Sequence, residues 1–143
     1  MSRREIVVVG LSHKTAPVAL RERFSVSQAR LPETLSAFSR FTGLPSCVLL
    51  STCNRTELYT LLSSLDGELA KVRSFLTAYH RVEETEANGS LYAISGEKGV
   101  EHLFKVASGL DSLVLGESEI IGQVKQAYQL AQKEKKVEKG LHL

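Results

Sequence analysis

The sequence predicts an α+β fold, in which a ferredoxin-like βαββαβ unit forms a four-stranded antiparallel sheet and is followed by two C-terminal helices. Three observations lead to this fold class. Four short apolar runs have the length and composition of buried strands. Two longer segments have apolar residues at helical spacing. The segments alternate as strand, helix, strand, strand, helix, strand, so we expect two helices to pack on one face of the sheet.

The first part of the chain is predicted to form one strand and two helices. Residues 6–9 are a β-branched run typical of a buried strand, which we expect to end at Gly10. After a polar loop, Val18–Phe24 favours a short helix because Pro17 suits a helix start. Residues 27–41 favour a longer helix, since their apolar side chains recur on one face.

The middle of the chain is predicted to hold two strands around a polar connector. Residues 47–50 and 58–62 have strand-like composition, and the connector at 51–57 contains one cysteine and one arginine. A helix over residues 68–79 and a strand over residues 91–94 then complete the sheet unit.

Two helices are predicted after the fourth strand, over residues 97–107 and 118–136. His102 lies beside the apolar stripe that we expect the first of them to bury. That stripe comprises Val100, Leu103, Phe104 and Ala107. The apolar connector at 108–117 is expected to fold back onto the domain. The second helix has a narrow apolar seam and a charged end, which fits either a solvated helix end or a connection to a further domain.

The composition indicates one globular domain. The chain has 143 residues, of which 43% are hydrophobic and 24% charged. There is neither an apolar run long enough to span a bilayer nor a signal-peptide core, so we expect a cytoplasmic protein without membrane contact. The net charge of +2 does not indicate bulk attraction to nucleic acid, but it leaves a local basic patch open.

The cysteine count and the missing motifs exclude several kinds of site. Two cysteines are too few for a disulfide framework or a four-cysteine zinc site. In a reducing cytoplasm we expect both as free thiols, with Cys47 in the core and Cys53 exposed. The sequence has no glycine fingerprint for dinucleotides, no Walker motif and no His-x-x-x-His pair. We therefore expect no dinucleotide, nucleoside triphosphate or metal site in this chain.

Cys53 is the candidate reactive group. The connector that contains it is either a polar hairpin turn with an incidental cysteine or a thiol nucleophile at the end of a sheet. Arg55 is a candidate cation for activating the thiol, and it is equally suited to binding a substrate carboxylate through two hydrogen bonds. For His13, a hydrogen bond to the loop backbone is the favoured interpretation. The candidate acids or bases remain open and are His102, His13, Glu57 and Glu117.

Three stretches together resemble the N-terminal catalytic domain of glutamyl-tRNA reductase. The first is GLSHKTAP at residues 10–17 with the following RER at 21–23, and the second is LSTCNRTELY at residues 50–59. The third is HLFKVASGLDSLVLGESEIIGQVKQAY at residues 102–128. The match covers nearly the whole chain, and three long stretches in the same order make the resemblance specific.

The resemblance implies reduction of glutamyl-tRNA(Glu) with NADPH to glutamate-1-semialdehyde, the first step of tetrapyrrole (porphyrin and heme) biosynthesis. Cys53 matches the family nucleophile that forms a glutamyl thioester. His102 matches a histidine important for activity, and a hypothesis for its role is proton donation to the departing tRNA oxygen. The positions that match substrate-binding residues are Thr52, Asn54, Arg55, Ser112, Glu117, Ser118, Glu119 and Gln123. At Glu119 the family usually has glutamine, and an ionised glutamate cannot donate a hydrogen bond.

The resemblance also implies a longer enzyme, with an NADPH-binding domain and a dimerisation domain joined by a long helix. We expect residues 1–143 to be the catalytic, substrate-binding domain, with the start of the connecting helix near 118–136 and the other two domains absent. The implied cofactor is NADPH, bound outside this chain. The implied partners are glutamyl-tRNA(Glu), a second copy in a homodimer of the full-length enzyme, and glutamate-1-semialdehyde aminomutase, which would receive the product.

A competing hypothesis from the residues is a non-catalytic ferredoxin-like module. It would bind a regulatory ligand in the cleft beside the connector, and Cys53 would be a structural thiol. The two hypotheses differ in the reactivity that they predict for Cys53 relative to Cys47.

Overall fold

The computed structural model of the chain describes residues 4–45, 47–63, 65–109 and 119–133. For five of these residues the side chain is not described, namely Leu65, Glu119, Ile121, Ala131 and Lys133. The strands are β1 (Glu5–Ser12), β2 (Val48–Ser51), β3 (Arg55–Leu62) and β4 (Tyr92–Ser95). The helices are α1 (Val18–Phe24), α2 (Leu31–Thr42), α3 (Leu65–Tyr79), α4 (Glu84–Ala87), α5 (Gly96–Ala107) and α6 (Glu119–Lys133). A 3₁₀ turn at Gln28–Arg30 leads into α2.

The four strands form one antiparallel sheet in the order β2-β3-β1-β4. The chain order βαββαβ and this sheet confirm the predicted ferredoxin-like fold class. β1 is central, with β3 on one side and β4 on the other. Its Gly10 lies opposite Glu57 of β3 and Tyr92 of β4, so these three residues form one row across the sheet.

Helices cover both faces of the sheet. Val7, Val9 and Leu11 of β1 belong to the core on one face, together with buried residues of α1, α2 and α3. Successive strand residues point to opposite faces. Val8 and Tyr59 therefore belong to a second, smaller core on the other face, together with buried residues of α5 and α6. The two C-terminal helices thus form a layer of their own.

Two predicted strand boundaries near the connector were wrong. β1 does not end at Gly10 but continues to Ser12, because it remains paired with β3 over this length. β3 begins at Arg55 rather than at residue 58, so the polar connector is shorter than predicted. Arg55 and Glu57 are compatible with a buried strand because they carry opposite charges and lie close together.

The predicted buried face of α5 was wrong in part, because Leu103 packs against the smaller core but Val100 and Phe104 are exposed. Phe104 is 71% exposed, whereas Gly99 and Val106 are buried. Gly99 explains this orientation, since a Cβ atom there would lie 3.0 Å from the carbonyl oxygen of Ile94. The helix therefore approaches β4 along its Gly99 side, and His102 faces the sheet.

The other differences concern element ends. The helix predicted over residues 27–41 is divided into the 3₁₀ turn and α2, with Pro32 in the first turn of α2, where proline is tolerated. α3 begins at Leu65, before the predicted residue 68, and the short α4 was not predicted. Most of the connector predicted at 108–117 lies outside the described residues.

Candidate active site

The turn between β2 and β3 presents Cys53. The thiol is free and the residue is exposed. The backbone N–H of Thr52 donates to the carbonyl oxygen of Arg55 at 2.8 Å. The Oγ1 atom of Thr52 accepts the backbone N–H groups of Asn54 and Arg55, each at 3.2 Å. Thr52 therefore closes the turn through its own side chain, while Cys53 remains at the surface. Cys47, by contrast, is 1% exposed and lies in the core, as predicted.

Two neighbouring segments hold this turn from the side. The backbone N–H of His13, from the loop after β1, donates to the carbonyl oxygen of Asn54 at 2.8 Å. The Oγ atom of Ser51, at the end of β2, accepts the backbone N–H of Val26 at 2.9 Å and lies 3.2 Å from the hydroxyl of Thr56. The position of Cys53 is therefore determined by contacts between segments as well as within the turn.

A buried polar cluster begins directly after the turn. Arg55 and Glu57 are alternate residues of β3, so their side chains share a face of the sheet. Both are buried, at 1% and 0% exposure, and Nη1 of Arg55 lies 3.5 Å from Oε2 of Glu57. Tyr59 continues the same face, and its hydroxyl donates to Oε1 of Glu57 at 2.7 Å.

Two further groups meet the other oxygen of Glu57. The hydroxyl of Tyr92 in β4 donates to Oε2, and Nε2 of His102 in α5 is hydrogen-bonded to the same atom. The rings of Tyr92 and His102 also contact each other, with centroids 5.7 Å apart. β3, β4 and α5 therefore converge on a single carboxylate.

The surroundings of Glu57 favour its ionised form. Burial alone would raise the pKa of Glu57, but the hydrogen bond from His102, the charges of His102 and Arg55 and the hydrogen bond from Tyr92 lower it below its ordinary value. The pKa values of Tyr59 and Tyr92 lie above that of an ordinary tyrosine. Burial is the larger cause, and the charge of Glu57 is the second. Glu57 is therefore a carboxylate at neutral pH, and both tyrosine hydroxyls are protonated donors.

Gly10 makes this convergence sterically possible. β1 lies between β3 and β4, so any side chain at residue 10 would stand between Glu57 and Tyr92. A Cβ atom on Gly10 would lie 2.2 Å from the carbonyl oxygen of Thr56 and 2.8 Å from Cα of Glu57. The absence of a side chain thus lets Glu57 and Tyr92 meet across the central strand.

The structure brings only some of the predicted site residues together. Thr52, Cys53, Asn54 and Arg55 lie in or next to the turn, and His102 meets Glu57 two residues farther along β3. Gln123 is an exposed residue of α6. Three predicted residues lie outside the described residues, namely Ser112, Glu117 and Ser118, and of Glu119 only the backbone is described. The substrate-binding roles of all these residues stay predictions.

Sequence reasoning missed Gly10, Tyr59 and Tyr92 as members of this cluster. The spacing of Arg55, Glu57 and Tyr59 contains a usable signal, because residues two apart in a strand share a face. No comparable signal identifies Tyr92 or Gly10, whose roles depend on which strands are neighbours in the sheet. Glu57 was considered as an acid or base, and its hydrogen bond to His102 became visible only in the structure.

Two other features of the described part of the chain bear on its chemistry. Among the described residues, no group of three or more His, Cys, Asp or Glu side chains has an arrangement that could hold a metal ion. No helix in that part is both long enough and apolar enough to cross a membrane.

Comparison with known proteins gives consistent matches. Residues 9–143 match the family model described as the N-terminal domain of glutamyl-tRNAGlu reductase. Glutamyl-tRNA reductase of Desulforudis audaxviator is 50% identical over 127 residues, a match covering 89% of this chain and 28% of the relative. The corresponding protein of Hydrogenovibrio crunogenus is 43% identical over 138 residues, covering 96% of this chain and 31% of the relative.

A solved structure gives the same result for the fold. Glutamyl-tRNA reductase from Methanopyrus kandleri superimposes with a TM-score of 0.76 at 31% sequence identity, over 95% of this chain and 30% of that one. The chain thus spans less than a third of the length of these relatives. The family model and the solved structure each match nearly the whole chain. The chain therefore belongs to the glutamyl-tRNA reductase family, in which it corresponds to the N-terminal domain.

Proposed function

We propose that this chain is the part of a glutamyl-tRNA reductase that takes the glutamyl group from glutamyl-tRNA(Glu) onto Cys53. In this step the thiolate sulfur attacks the carbonyl carbon of the glutamyl ester. A C–S bond forms, the C–O bond to the tRNA ribose breaks, and the ribose oxygen receives a proton. The products are a glutamyl thioester on Cys53 and free tRNA.

The observation that carries the proposal is the exposed free thiol of Cys53 in a turn that is braced by Thr52 and Asn54. A nucleophile must be accessible to its substrate and held in place, and the Cys53 turn meets both conditions. Cys47 is not accessible to a substrate, because it is enclosed in the core. The family resemblance supports the same residue, since Cys53 lies in LSTCNRTELY at residues 50–59, a stretch that carries the resemblance.

His102 is proposed as the group that donates the proton to the ribose oxygen. It is held by Glu57 on the strand that follows the Cys53 turn. Glu57 lies four positions after Cys53, so their Cα atoms are at most about 14 Å apart. We propose that the glutamyl ester binds between the Cys53 turn and His102.

Recognition of the glutamyl group is proposed for the polar residues around the turn and in the C-terminal segment. These are Thr52, Asn54, Arg55, Ser112, Glu117, Ser118, Glu119 and Gln123. Thr52 and Arg55 already have partners within the chain. We therefore expect Thr52 to contribute chiefly by shaping the turn, and Arg55 by its positive charge.

The reduction step is not assigned to residues of this chain. A dinucleotide site of the common type needs a strand, a glycine-rich turn and a helix within a parallel βαβ unit. The sheet of the described residues is antiparallel, and so does not fit such a site. We propose that NADPH is bound by another part of a longer enzyme, where it would supply the hydride for reduction of the thioester to glutamate-1-semialdehyde.

The wider setting follows from the family and is part of the same proposal. The enzyme would act in the cytoplasm as a homodimer at the first step of tetrapyrrole biosynthesis. Its aldehyde product would pass to glutamate-1-semialdehyde aminomutase. In this arrangement residues 1–143 would be the catalytic, substrate-binding domain, and α6 would begin the helix that leads to the other domains.

Mass spectrometry after incubation with glutamyl-tRNA tests the acyl step. We expect a glutamyl adduct on Cys53 and none on Cys47. Cys53→Ser should abolish the thioester, whereas Cys47→Ala is the matched control and should retain it. His102→Ala should slow acylation by about 100-fold or more, in the range of general acid–base catalysis. A wild-type chain that stays unmodified would refute the proposal and favour the regulatory module.

A further inference from the structure

The contacts of Glu57 favour an ionised carboxylate that acts as an acceptor. Its Oε1 atom accepts the hydroxyl of Tyr59, and its Oε2 atom accepts the hydroxyl of Tyr92. The permanently charged Arg55 lies 3.5 Å from the same Oε2 atom. All three neighbours present hydrogen or positive charge to the carboxyl group. A proton on Glu57 would displace at least one of these donors and would lose the attraction between the carboxylate and Arg55.

This arrangement determines the protonation of the fourth neighbour. Because Glu57 is an acceptor, Nε2 of His102 must be the donor in the hydrogen bond between them. The other ring nitrogen, Nδ1, then carries either a lone pair or the second proton of an imidazolium. The His102 side chain retains 14% exposure, whereas that of Glu57 has none. Proton exchange between this pair and a substrate must therefore take place on the histidine.

We propose that Glu57 is a positioning residue that keeps the Nε2 proton of His102 bound, so that Nδ1 is the nitrogen that gives a proton to the substrate. This inference rests on the proposed acyl transfer and adds the atom at which the proton moves. The imidazolium gives its Nδ1 proton to the ribose oxygen as the C–O bond breaks, and becomes neutral. It then recovers a proton from solvent, which balances the proton that Cys53 releases on forming its thiolate.

The same arrangement explains two residues that have no other role in the proposed chemistry. Tyr92 donates to the oxygen that binds His102 and contacts its ring, so it limits the directions from which His102 can approach. Gly10 leaves open the space above β1 through which Glu57 reaches Tyr92. Fixed geometry of this kind orients a histidine for proton transfer.

Nitrogen-15 NMR of the 143-residue chain with labelled histidine tests the position of the proton. We expect His102 to show a hydrogen-bonded proton on Nε2 that exchanges slowly with solvent. In Glu57→Gln the acceptor becomes a neutral amide oxygen, so this protection should decrease. The matched control is Glu101→Gln, the same substitution at an exposed residue of α5 that pairs with Lys105 at 3.2 Å. The control should leave the His102 signal unchanged. A slowly exchanging proton on Nδ1 of the wild-type chain would overturn the inference.

A second variant keeps the test valid if Glu57→Gln does not fold. Tyr92→Phe removes one donor from Oε2 without changing any charge, so it should shift the resonance of the His102 Nε2 proton. An unchanged resonance in this variant would contradict a shared acceptor. The amide spectrum of each variant reports whether the fold is intact.

Single-turnover acylation separates this inference from the proposed function. At saturating glutamyl-tRNA, Glu57→Gln should slow thioester formation by about tenfold or more, with the half-saturating concentration unchanged. A folded Glu57→Gln variant that acylates at the wild-type rate would overturn the positioning role. If no variant or wild-type chain is acylated while the Nε2 proton is protected, the proposed function fails and the proton assignment stands.

Discussion

Arg55 and Glu57 form a charged pair inside a strand, where neither side chain reaches solvent. Removing such groups from water costs several kcal/mol per ion. The 3.5 Å approach of Arg55 and the three hydrogen bonds to the Glu57 carboxylate offset that cost. Loss of one partner leaves the other charge buried with fewer compensating contacts, so the stability of the domain depends on both.

Arg55→Met should therefore lower the free energy of unfolding by about 3–5 kcal/mol. The matched control is Arg23→Met, because Arg23 pairs with Glu86 where both side chains are nearly half exposed. There we expect a loss of about 0–1 kcal/mol, as for other surface ion pairs. Urea denaturation of the three chains measures both changes. Equal effects of the two substitutions would show that the buried pair contributes no more than the surface pair.

His80 makes stability depend on pH. Its ring lies between Phe24 and Tyr79, with centroids 5.1 Å and 5.2 Å away. Burial, with the nearby charge of Arg30, lowers the pKa of His80 from 6.5 to about 4. As the pH falls below 6.5, the unfolded chain therefore takes up this proton before the folded chain does. The contribution of His80 is complete above pH 6.5 and is lost as the pH falls towards 4.

The expected loss is on the order of 2 kcal/mol across this window. Denaturation at about pH 7 and about pH 5 should show a clear decrease for the wild-type chain. His80→Phe retains an aromatic ring but cannot titrate, so its stability should decrease less over the same interval. The same decrease in both chains would assign the pH dependence to other groups.

β1 illustrates how one strand can serve both the sheet and the site. Its odd-numbered residues 7, 9 and 11 fill the larger core, while Val8 belongs to the smaller one. Gly10 follows Val8 on that second face, where the cluster around Glu57 takes the space of a side chain. β1 therefore contributes no apolar side chain to the smaller core at residue 10. The side chains of Glu57 in β3 and Tyr92 in β4 meet in the space that this leaves above β1.

Gly10→Ala should destabilise the domain by about 1–3 kcal/mol or more, because the new methyl group collides with backbone that cannot move away easily. Gly122→Ala is the matched control. It lies within α6 with nothing within 4 Å of the new Cβ atom, so helix propensity predicts a gain of up to about 1 kcal/mol. Thermal or urea unfolding distinguishes these opposite signs. An unaffected Gly10→Ala chain would mean that the Glu57 row has room to relax.

α5 shows why a helical stripe alone does not give the orientation of a helix. Its most apolar stripe includes Phe104, which is exposed, while the side containing Gly99 and His102 faces the sheet. Close approach at Gly99 and the hydrogen bond to Glu57 determine which side is inward. Both contacts join α5 to other elements, and neither can be recognised within the helix itself.

The two cysteines occupy contrasting positions in the domain. Cys47 lies in the larger core, between the helices and the sheet, and Cys53 lies at the surface between β2 and β3. Reactivity of a thiol depends on its access to the reagent as well as on its ionisation. The fold therefore separates one protected thiol from one accessible thiol.

Iodoacetamide at neutral pH should modify Cys53 in the folded chain and leave Cys47 intact. Adding denaturant should expose Cys47 and yield two modified sites, as counted by mass spectrometry. A glutamate analogue that occupies the proposed site should slow the modification of Cys53. Equal reactivity of the two cysteines in the folded chain would favour the regulatory module over the acyl-transfer domain.

Local patterns along the chain were sufficient for the order of the four strands and the long helices and for the fold class. The alternation of apolar runs, the helical spacing and the positions of glycine and proline all act between near neighbours, which is why they can be recognised in a sequence. They were insufficient for Gly10 and for Arg55, each of which was expected to lie outside a strand. In both cases contacts with neighbouring strands outweighed the local preference.

The candidate site likewise has one part that local sequence identifies and another that depends on contacts between distant segments. Cys53 and the residues next to it were identified from consecutive sequence, and the family resemblance singled out His102 among the four candidate acids or bases. The joining of Glu57, Tyr92 and His102 required the three-dimensional packing. These residues come from β3, β4 and α5, and their meeting depends on the position of β1 between two strands that are distant in the chain. Such strand pairing depends on the folded domain as a whole, because no short segment of the chain contains both of the paired strands.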